Sequence, residues 1–343
     1  ESELRAMFLA RKLPVVLAAL RARLESLGVA YRWADAVADI LVAGGRVRGV
    51  LLRSGAELAC DRLVLAVGHS ARDTFERLFA RGVAMVAKPF AVGARVEHPQ
   101  ALIDRIQYGD RCGHPRLPAA FYHVTANVPA GGRTRGVYSF CMCPGGWIVD
   151  SSTEPGCLTT NGMSLARRNS PFANAALVVT VEPEDVWASG WDPSDPLAGL
   201  AFQRSLERRA YEVGGGAFTA PAQRLTDFLA RRITTIAARS SYRPRVTGAE
   251  LGDVLPPFVA DALRLAVPKL DRTLKGFLTS EAQLVGVETR TSSPLRIVRE
   301  ELTCESPSHR RLYPCGEGAG YAGGIVSSAI DGQKVAAAIL ASL

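Results

Sequence analysis

The sequence predicts a chain of the α/β class whose two ends form one domain and whose middle forms a large inserted domain of mixed α/β (α+β) structure. Its length of 343 residues corresponds to about two domains. Strand-like and helical patterns alternate at both ends, whereas the middle mixes short β-like runs and helices with loops rich in glycine and proline. We therefore expect residues 1–87 and 286–343 to form the first domain and residues 88–285 to form the insertion.

The first domain opens with a helix and a β-hairpin. Leucines at helical spacing predict a helix that begins at Pro14 and ends at Gly28, because proline is favoured in a first turn and glycine at a C-terminal cap. Two consecutive glycines at 44–45 predict a tight hairpin turn between strands at residues 37–42 and 46–53.

Two strand–helix pairs complete the first domain. The apolar run Leu63–Val67 is typical of a strand buried on both faces of a parallel sheet, and Asp73 is suited to cap a helix that ends at Arg81. Near the C-terminus, a strand at Leu312–Cys315 leads through a glycine cluster into a helix at residues 324–340.

The inserted domain alternates predicted strands and helices. Its strands are expected at residues 90–97, 136–140 and 176–181, its helices at 198–212 and 223–238, and a loop-like segment at 241–257. We find neither an internal repeat nor a low-complexity tract.

Composition excludes several classes of protein. Apolar residues make up 48% of the chain and charged residues 22%, which excludes collagen, coiled coils and bulk disorder. The longest apolar run, Leu13 to Leu20, is far shorter than the roughly 18 residues of a membrane span. The formal net charge is +8, but the basic residues occur singly or in pairs, so we expect no nucleic-acid partner.

The seven cysteines indicate free thiols rather than a disulfide scaffold, because their number is odd and no signal peptide opens the chain. We therefore expect a soluble protein in a reducing compartment. Cys141 and Cys143 form a C-x-C pair that we interpret as structural. A redox dithiol or half of a zinc site are the alternatives, although redox pairs usually have C-x-x-C spacing and no second ligand pair is present.

The glycine cluster at residues 316–324 is the most informative segment. It contains the pattern G-x-G-x-x-G, but only 20 residues follow Gly323, so the second strand of a dinucleotide-binding fingerprint and its ribose-binding acid cannot follow. Closely spaced glycines still let a ligand approach the backbone, and the next helix presents unpaired N–H groups to an anion such as pyrophosphate. Glu317 is suited to accept hydrogen bonds from ligand hydroxyls. The alternative is a helix entry that serves only close packing.

Several segments together resemble the family of uncharacterised FAD-dependent dehydrogenases, a branch of the glutathione-reductase-like flavoproteins with a large inserted domain. The resemblance covers nearly the whole chain and includes plastid members from plants and algae as well as bacterial members, notably around Ser240–Arg243. The segments that carry it are Ala66–Asp73, Lys88–Gly93, Phe140–Gly146, Asn161–Ser164, Glu288–Pro294 and Gly316–Ile325.

This resemblance implies an FAD/NAD(P)-binding Rossmann-like domain that is partial here, because the βαβ unit with which the family begins is not in this sequence. The chain starts at Glu1 inside a helical pattern, so we expect it to be the rear portion of a longer protein. The implied cofactor is FAD, with NAD(P)H as a candidate electron donor. The cofactor-binding residues that it implies are Val37 at the adenine, Gly68 along the adenosine half, Glu317 at the ribityl or ribose hydroxyls, and Gly318, Gly324 and Ile325 at the flavin or pyrophosphate.

Four further polar residues are candidates for the site. Arg290 and Arg296 flank a Thr-Ser-Ser-Pro segment and suit a carboxylate, a phosphate or the electron-rich edge of a flavin. A loop whose hydroxyls cap backbone groups and whose arginines make surface pairs is an equal alternative. His69 and His98 lie near the expected domain junction, where a structural histidine is the more common case.

The function expected from these observations is that of an FAD-dependent oxidoreductase, dehydrogenase-like, acting on a small-molecule substrate that the sequence does not specify. The alternative is a non-catalytic scaffold or assembly subunit that retains the flavoprotein fold. The resemblance places the protein in the plastid stroma or the bacterial cytoplasm.

Overall fold

The computed structural model describes residues 2–235 and 239–343, with side chains from residue 14 onward. The chain divides into two compact units. Unit 1 contains Ala91–Val181 and Phe202–Thr291 together with the first residues up to Arg11, and unit 2 contains Lys12–Phe90, Glu182–Ala201 and Ser292–Leu343.

The described strands and helices follow in chain order. The strands are β1 Val37–Ala43, β2 Arg46–Leu52, β3 Glu57–Ala59, β4 Leu63–Leu65, β5 Met85–Ala87, β6 Phe90–Pro99, β7 Thr125–Ala130, β8 Arg133–Cys143, β9 Gly146–Asp150, β10 Thr160–Ser164, β11 Phe172–Val181, β12 Ala220–Arg224, β13 Val246–Gly248, β14 Gln283–Glu288, β15 Leu295–Ile297 and β16 Leu312–Pro314. The α-helices are α1 Ser2–Ser26, α2 Arg72–Ala80, α3 Gln100–Tyr108, α4 Pro183–Ala188, α5 Ala198–Val213, α6 Leu225–Leu229, α7 Pro257–Thr273 and α8 Ile325–Leu340.

Unit 1 is built on a seven-stranded mixed sheet with the order β13-β12-β14-β6-β11-β8-β7. β12 and β13 are parallel, whereas β12 and β14, β14 and β6, β11 and β8, and β8 and β7 are antiparallel. Helix α7 packs against β7, β8 and β11 through buried residues such as Leu263, Val267 and Leu270.

Unit 2 contains three small sheets. β1, β2 and β3 form an antiparallel sheet, β4 pairs with β16 in parallel, and β5 pairs with β15 antiparallel. An apolar core that includes Phe75, Leu78, Leu295 and Leu312 lies beneath them. The fold is therefore mixed α/β, with one large mixed sheet in unit 1.

Several predicted elements are confirmed. The hairpin of β1 and β2 turns at Gly44 and Gly45, whose φ angles of 56° and 67° are those of a type I′ turn. The strand at 312–315 and the helix that follows Gly324 are also present, as are the helix at 198–212 and the three strands expected in the insertion.

Three local predictions are wrong. Pro14 lies inside α1 because the residues before it, Leu4 to Leu13, are mostly good helix formers, and the helix therefore begins at Ser2. Ala71, not Asp73, is the N-cap of α2, and Asp73 lies in the first turn, where its charge favours the helix N-terminus.

The third wrong prediction is the helix at residues 223–238. Residues 220–224 form strand β12 instead, because they pair with strands on both sides, and α6 ends before Arg231, which has a φ of 51°. The part of that prediction at residues 236–238 lies outside the described residues.

The bounds of the two units differ from the expected domains. The segment 182–201, which the sequence prediction gave to the insertion, belongs to unit 2, and residues 286–291 belong to unit 1. In the described part of the chain, no helix is long and apolar enough to cross a membrane.

Candidate functional site

The glycine cluster of unit 2 joins the end of β16 to the start of α8. β4 and β16 are parallel, so their carboxyl ends open at the same edge, where Gly68 and the cluster follow them. A Cβ on Gly318 would overlap the backbone of Gly68, and a Cβ on Gly320 would lie 2.6 Å from the carbonyl oxygen of Leu295. Glycine at 318 and 320 is therefore required for the close packing of these loops.

Glu317 and His69 face each other at this edge. His69 Nδ1 lies 3.2 Å from Glu317 Oε1, and both side chains are partly exposed. The structure therefore brings together Gly68, Glu317 and Gly318, three of the residues that the sequence assigned to a cofactor. The side chain of Glu317 is 21% exposed and is therefore accessible to ligand hydroxyls.

The start of α8 is open. Its N-cap, Gly324, supplies no capping side chain, and a Cβ built there would meet only Ser327 Oγ, at 3.9 Å. Ser327 Oγ accepts a hydrogen bond from the N–H of Gly323 and donates one to the carbonyl of Gly324. Ile325 is 69% exposed and Val326 50%. No side chain of the described residues caps the start of α8, and uncapped N–H groups beside an exposed apolar surface suit a ligand that is both anionic and aromatic.

A buried ion pair fixes α8 to the cluster. Arg299 Nη2 donates to Asp331 Oδ1 at 2.6 Å, and Asp331 Oδ2 accepts from the N–H of Gly316 at 2.7 Å. Arg299 also donates to the carbonyl of Pro314 and lies 3.7 Å from the centre of the Tyr321 ring. Burial alone would raise the pKa of Asp331, but the hydrogen bonds from Arg299 and Gly316 outweigh it and lower the pKa. The sequence motifs do not indicate this pair, although an acid within the mostly apolar helix α8 is a signal for it.

Val37 lies at a separate cavity of unit 2. The cavity has a volume of about 360 Å³ and is lined by β1, β4 and α2, including Val37, Val64 and Val67. Asp39 on its wall accepts three hydrogen bonds from Arg81, which hold the pKa of this carboxyl below its ordinary value. The role of Val37 toward an adenine stays a prediction.

Arg290 lies in unit 1 and is engaged by protein groups. Its Nε and Nη2 donate to the two carboxylate oxygens of buried Glu207 at 3.0 and 2.9 Å, and its Nη1 donates to Thr153. These contacts fit the structural alternative, and a role toward a flavin stays a prediction.

Glu154, Cys157 and Glu207 offer three ligand atoms within 4.8 Å of one another. Both carboxylates already bind arginines, Arg204 and Arg290, so a metal ion would have to displace these ion pairs.

The C-x-C pair lies on a β-bulge of unit 1. Cys141 is exposed with a φ of 43°, whereas Cys143 is buried and burial raises its thiol pKa. Arg95, fully buried, donates to the carbonyl of Cys141 at 2.9 Å and to Glu288 Oε2 at 3.0 Å. Among the described residues, none completes a metal site with these two thiols. The arrangement fits the structural interpretation, in which the bulge wraps the Arg95–Glu288 pair.

His98, the other histidine candidate, is buried in unit 1. Its Nε2 lies 2.8 Å from the carbonyl oxygen of Phe277, which makes Nε2 the donor. Burial lowers its pKa to about 4, so this histidine is neutral at physiological pH. It packs against the rings of Tyr122 and Phe277, as a structural histidine does.

Comparison with known proteins now defines the class. A family model described as "FAD-dependent protein, C-terminal domain-like" matches residues 89–291, more than half of the chain. The chain belongs to this family of FAD-dependent proteins. The matched residues contain nearly all of unit 1, whereas the glycine cluster lies outside them in unit 2.

Individual relatives add detail. An uncharacterized protein of Clostridium beijerinckii is 43% identical over 323 residues, which are 94% of this chain and 59% of that protein. The chain thus spans about three fifths of the length of the relative it matches. A solved structure of GidA from Aquifex aeolicus aligns with 89% of this chain and 43% of that chain, at 11% identity and a TM-score of 0.29. A similarity this low assigns neither fold nor function.

Proposed function

We propose that the protein is an FAD-dependent oxidoreductase, dehydrogenase-like, in which the N-terminus of α8 in unit 2 helps to hold the FAD. Membership of a family of FAD-dependent proteins supports the cofactor. The observation that carries its placement is the open start of α8, where two consecutive glycines leave the backbone without covering side chains. A cofactor that is anionic at its diphosphate and apolar at its ring fits this surface.

Each residue of the proposed site has its own role in binding FAD. The N–H groups of Gly324 and Ile325 would bind phosphate or flavin oxygens, and Glu317 would accept hydrogen bonds from ribityl or ribose hydroxyls. Gly68 and Gly318 let their two loops pack closely against each other, and Val37 would contact the adenine. When bound, FAD supplies hydride or electron acceptance, while the protein supplies binding and orientation. We propose a small molecule as the substrate and NAD(P)H as the electron donor.

We further propose that a βαβ unit outside residues 1–343 completes a Rossmann-like fold around β4. In the described residues, β4 pairs with β16 on one side only, and Val64 and Val67 are 45% and 41% exposed. A parallel strand that pairs on one side only and has exposed apolar side chains is typical of an interrupted sheet. The relative, which this chain covers for three fifths of its length, has room for such a unit.

The test is flavin analysis of the protein purified at the full length of its relative. Released cofactor is identified by chromatography and quantified per chain, and the bound flavin is then titrated anaerobically with NADPH, NADH and an artificial donor. Stoichiometric FAD that is reduced and then reoxidised by an acceptor supports the oxidoreductase. A well-folded protein without FAD contradicts it and favours the alternative, a non-catalytic scaffold.

A further inference from the structure

Two cations lie on one face of the small β5–β15 sheet in unit 2. Arg296 on β15 is the cross-strand partner of Val86 on β5, so their side chains point to the same side of the sheet. Lys88 is two residues beyond Val86, and side chains two residues apart in a strand share a face. The N–H of Lys88 donates to the carbonyl of Pro294 at 2.9 Å, which extends the pairing to Lys88.

Neither cation has a carboxylate partner among the residues that the structure describes. Lys88 Nζ makes only a long contact, 3.5 Å, with the carbonyl oxygen of Pro89. Arg296 Nε donates to the carbonyl of Gly320 at 3.4 Å, and the guanidinium lies 5.0 Å from the centre of the Tyr321 ring. The contact with Gly320 places Arg296 against the glycine cluster.

Glu317 is the carboxylate that acts on Lys88, but its single charge does not neutralise both Lys88 and Arg296. Partial burial lowers the pKa of Lys88, the positive charge of Arg296 lowers it further, and Glu317 offsets only part of this. Glu317 itself lies 3.2 Å from His69. Two cations thus share the surroundings of one carboxylate that already has a partner. The two positive charges therefore exceed the one negative charge near them, and an added anion would be attracted to this surface.

We propose that Lys88 and Arg296 form a binding site for a diphosphate group beside the glycine cluster. The guanidinium fork and the ammonium group are the two side chains that best bind phosphate oxygens. The assignment of this diphosphate to FAD rests on the proposed function, whereas the anion site itself does not. The sequence indicated Arg296, beside Arg290, as a candidate for a carboxylate, a phosphate or the flavin edge, whereas Lys88 was not among the cofactor residues that it indicated.

The experiment measures, by isothermal titration calorimetry, the binding of inorganic pyrophosphate and of FAD to the protein purified at the full length of its relative. The variants are Lys88→Met, Arg296→Met and the double variant, with Lys334→Met as the control. Lys334 is exposed on the same unit, ten residues beyond Gly324 on α8, and loses the same charge. We expect the double variant to bind pyrophosphate about tenfold more weakly or worse, since charge-assisted hydrogen bonds are lost, and the control to bind it like the wild type. Equal binding by the double variant and the control, or no binding by the wild type, overturns the site.

A second readout tests the same site on the wild-type protein. Acetylation of Lys88 by acetic anhydride, followed by mass spectrometry on the wild-type protein, should slow when pyrophosphate is present, while that of Lys334 should not. An unchanged rate at Lys88 contradicts the proposal without any variant that has to fold.

FAD separates the two possible sources of the diphosphate. Competition between FAD and pyrophosphate, with both weakened in the double variant, supports the FAD diphosphate as the occupant. If the double variant loses pyrophosphate but binds FAD normally, the anion site stands, its assignment to FAD is wrong, and the diphosphate of another ligand occupies it. If the wild type binds pyrophosphate through Lys88 and Arg296 but never binds FAD, the proposed function fails and the anion site stands.

Discussion

Removal of one partner of the ion pair between Arg299 and Asp331 should strongly destabilise unit 2. Asp331 accepts three hydrogen bonds, two from Arg299 at 2.6 and 3.0 Å and one from the N–H of Gly316 at 2.7 Å. Both side chains are at most 9% exposed. Asp331→Ala would leave a buried guanidinium without its counter-charge, which costs about 3–5 kcal/mol. Because Arg299 keeps its hydrogen bond to Pro314, we expect the lower end, about 3 kcal/mol.

The assay is denaturant unfolding together with hydrogen exchange of the α8 amides. Asp73→Ala is the matched control, since Asp73 pairs with Arg53 but both side chains are more than 60% exposed, and it should change the free energy of unfolding by about 1 kcal/mol or less. The lowered pKa of Asp331 adds a pH signature. Its stabilisation should be complete above the unfolded-state pKa of about 3.9 and be lost as the pH falls through the lower folded-state value. Equal destabilisation by the two variants would refute this account of how α8 is attached.

The remaining predictions concern the site and the bulge. Glu317→Ala should weaken FAD binding by about 1–3 kcal/mol, because ligand hydroxyls lose their acceptor, and unchanged affinity in a fluorescence titration would contradict its role. Replacement of Cys141 and Cys143 by serine or alanine should leave flavin reduction by an artificial donor largely intact in stopped-flow measurements. Loss of turnover with retained fold and FAD would instead indicate a redox dithiol. Gly162→Ala should destabilise unit 1, because its Cβ would overlap the guanidinium of Arg95, and an unaltered melting temperature would argue against this packing.

Local signals in the sequence predicted the elements that local chemistry controls. Gly44 and Gly45 alone determine a hairpin turn, and the strand, glycine cluster and helix at the C-terminus follow from patterns a few residues long. The helix predicted at 223–238 failed because strand pairing overrode helical periodicity. Ala222 pairs with Gly248 on one side and with Val285 on the other, and neither partner lies nearby in the sequence.

The same division applies to the candidate site. The glycines and Glu317 stand out in one segment, whereas the partners that hold the site come from far along the chain. Arg299 and Asp331, which attach α8 to the glycine cluster, are separated by 32 positions. Lys88 and Arg296 share a face only through the β5–β15 pairing. Pairings of this kind depend on the tertiary fold, and no local pattern in the sequence indicates them.

The central claim is that FAD lies at the start of α8, and one binding measurement tests it most directly. Gly323→Val adds a side chain where the protein itself has room, because a Cβ at Gly323 meets no atom within 4 Å. Gly332→Ala, in the helix that follows, is the control. The account predicts that the valine variant of the full-length protein keeps its fold, as judged by circular dichroism and melting, and loses at least about tenfold in FAD affinity, about 1.4 kcal/mol, while the control retains it. Wild-type FAD affinity in the valine variant would contradict the claim.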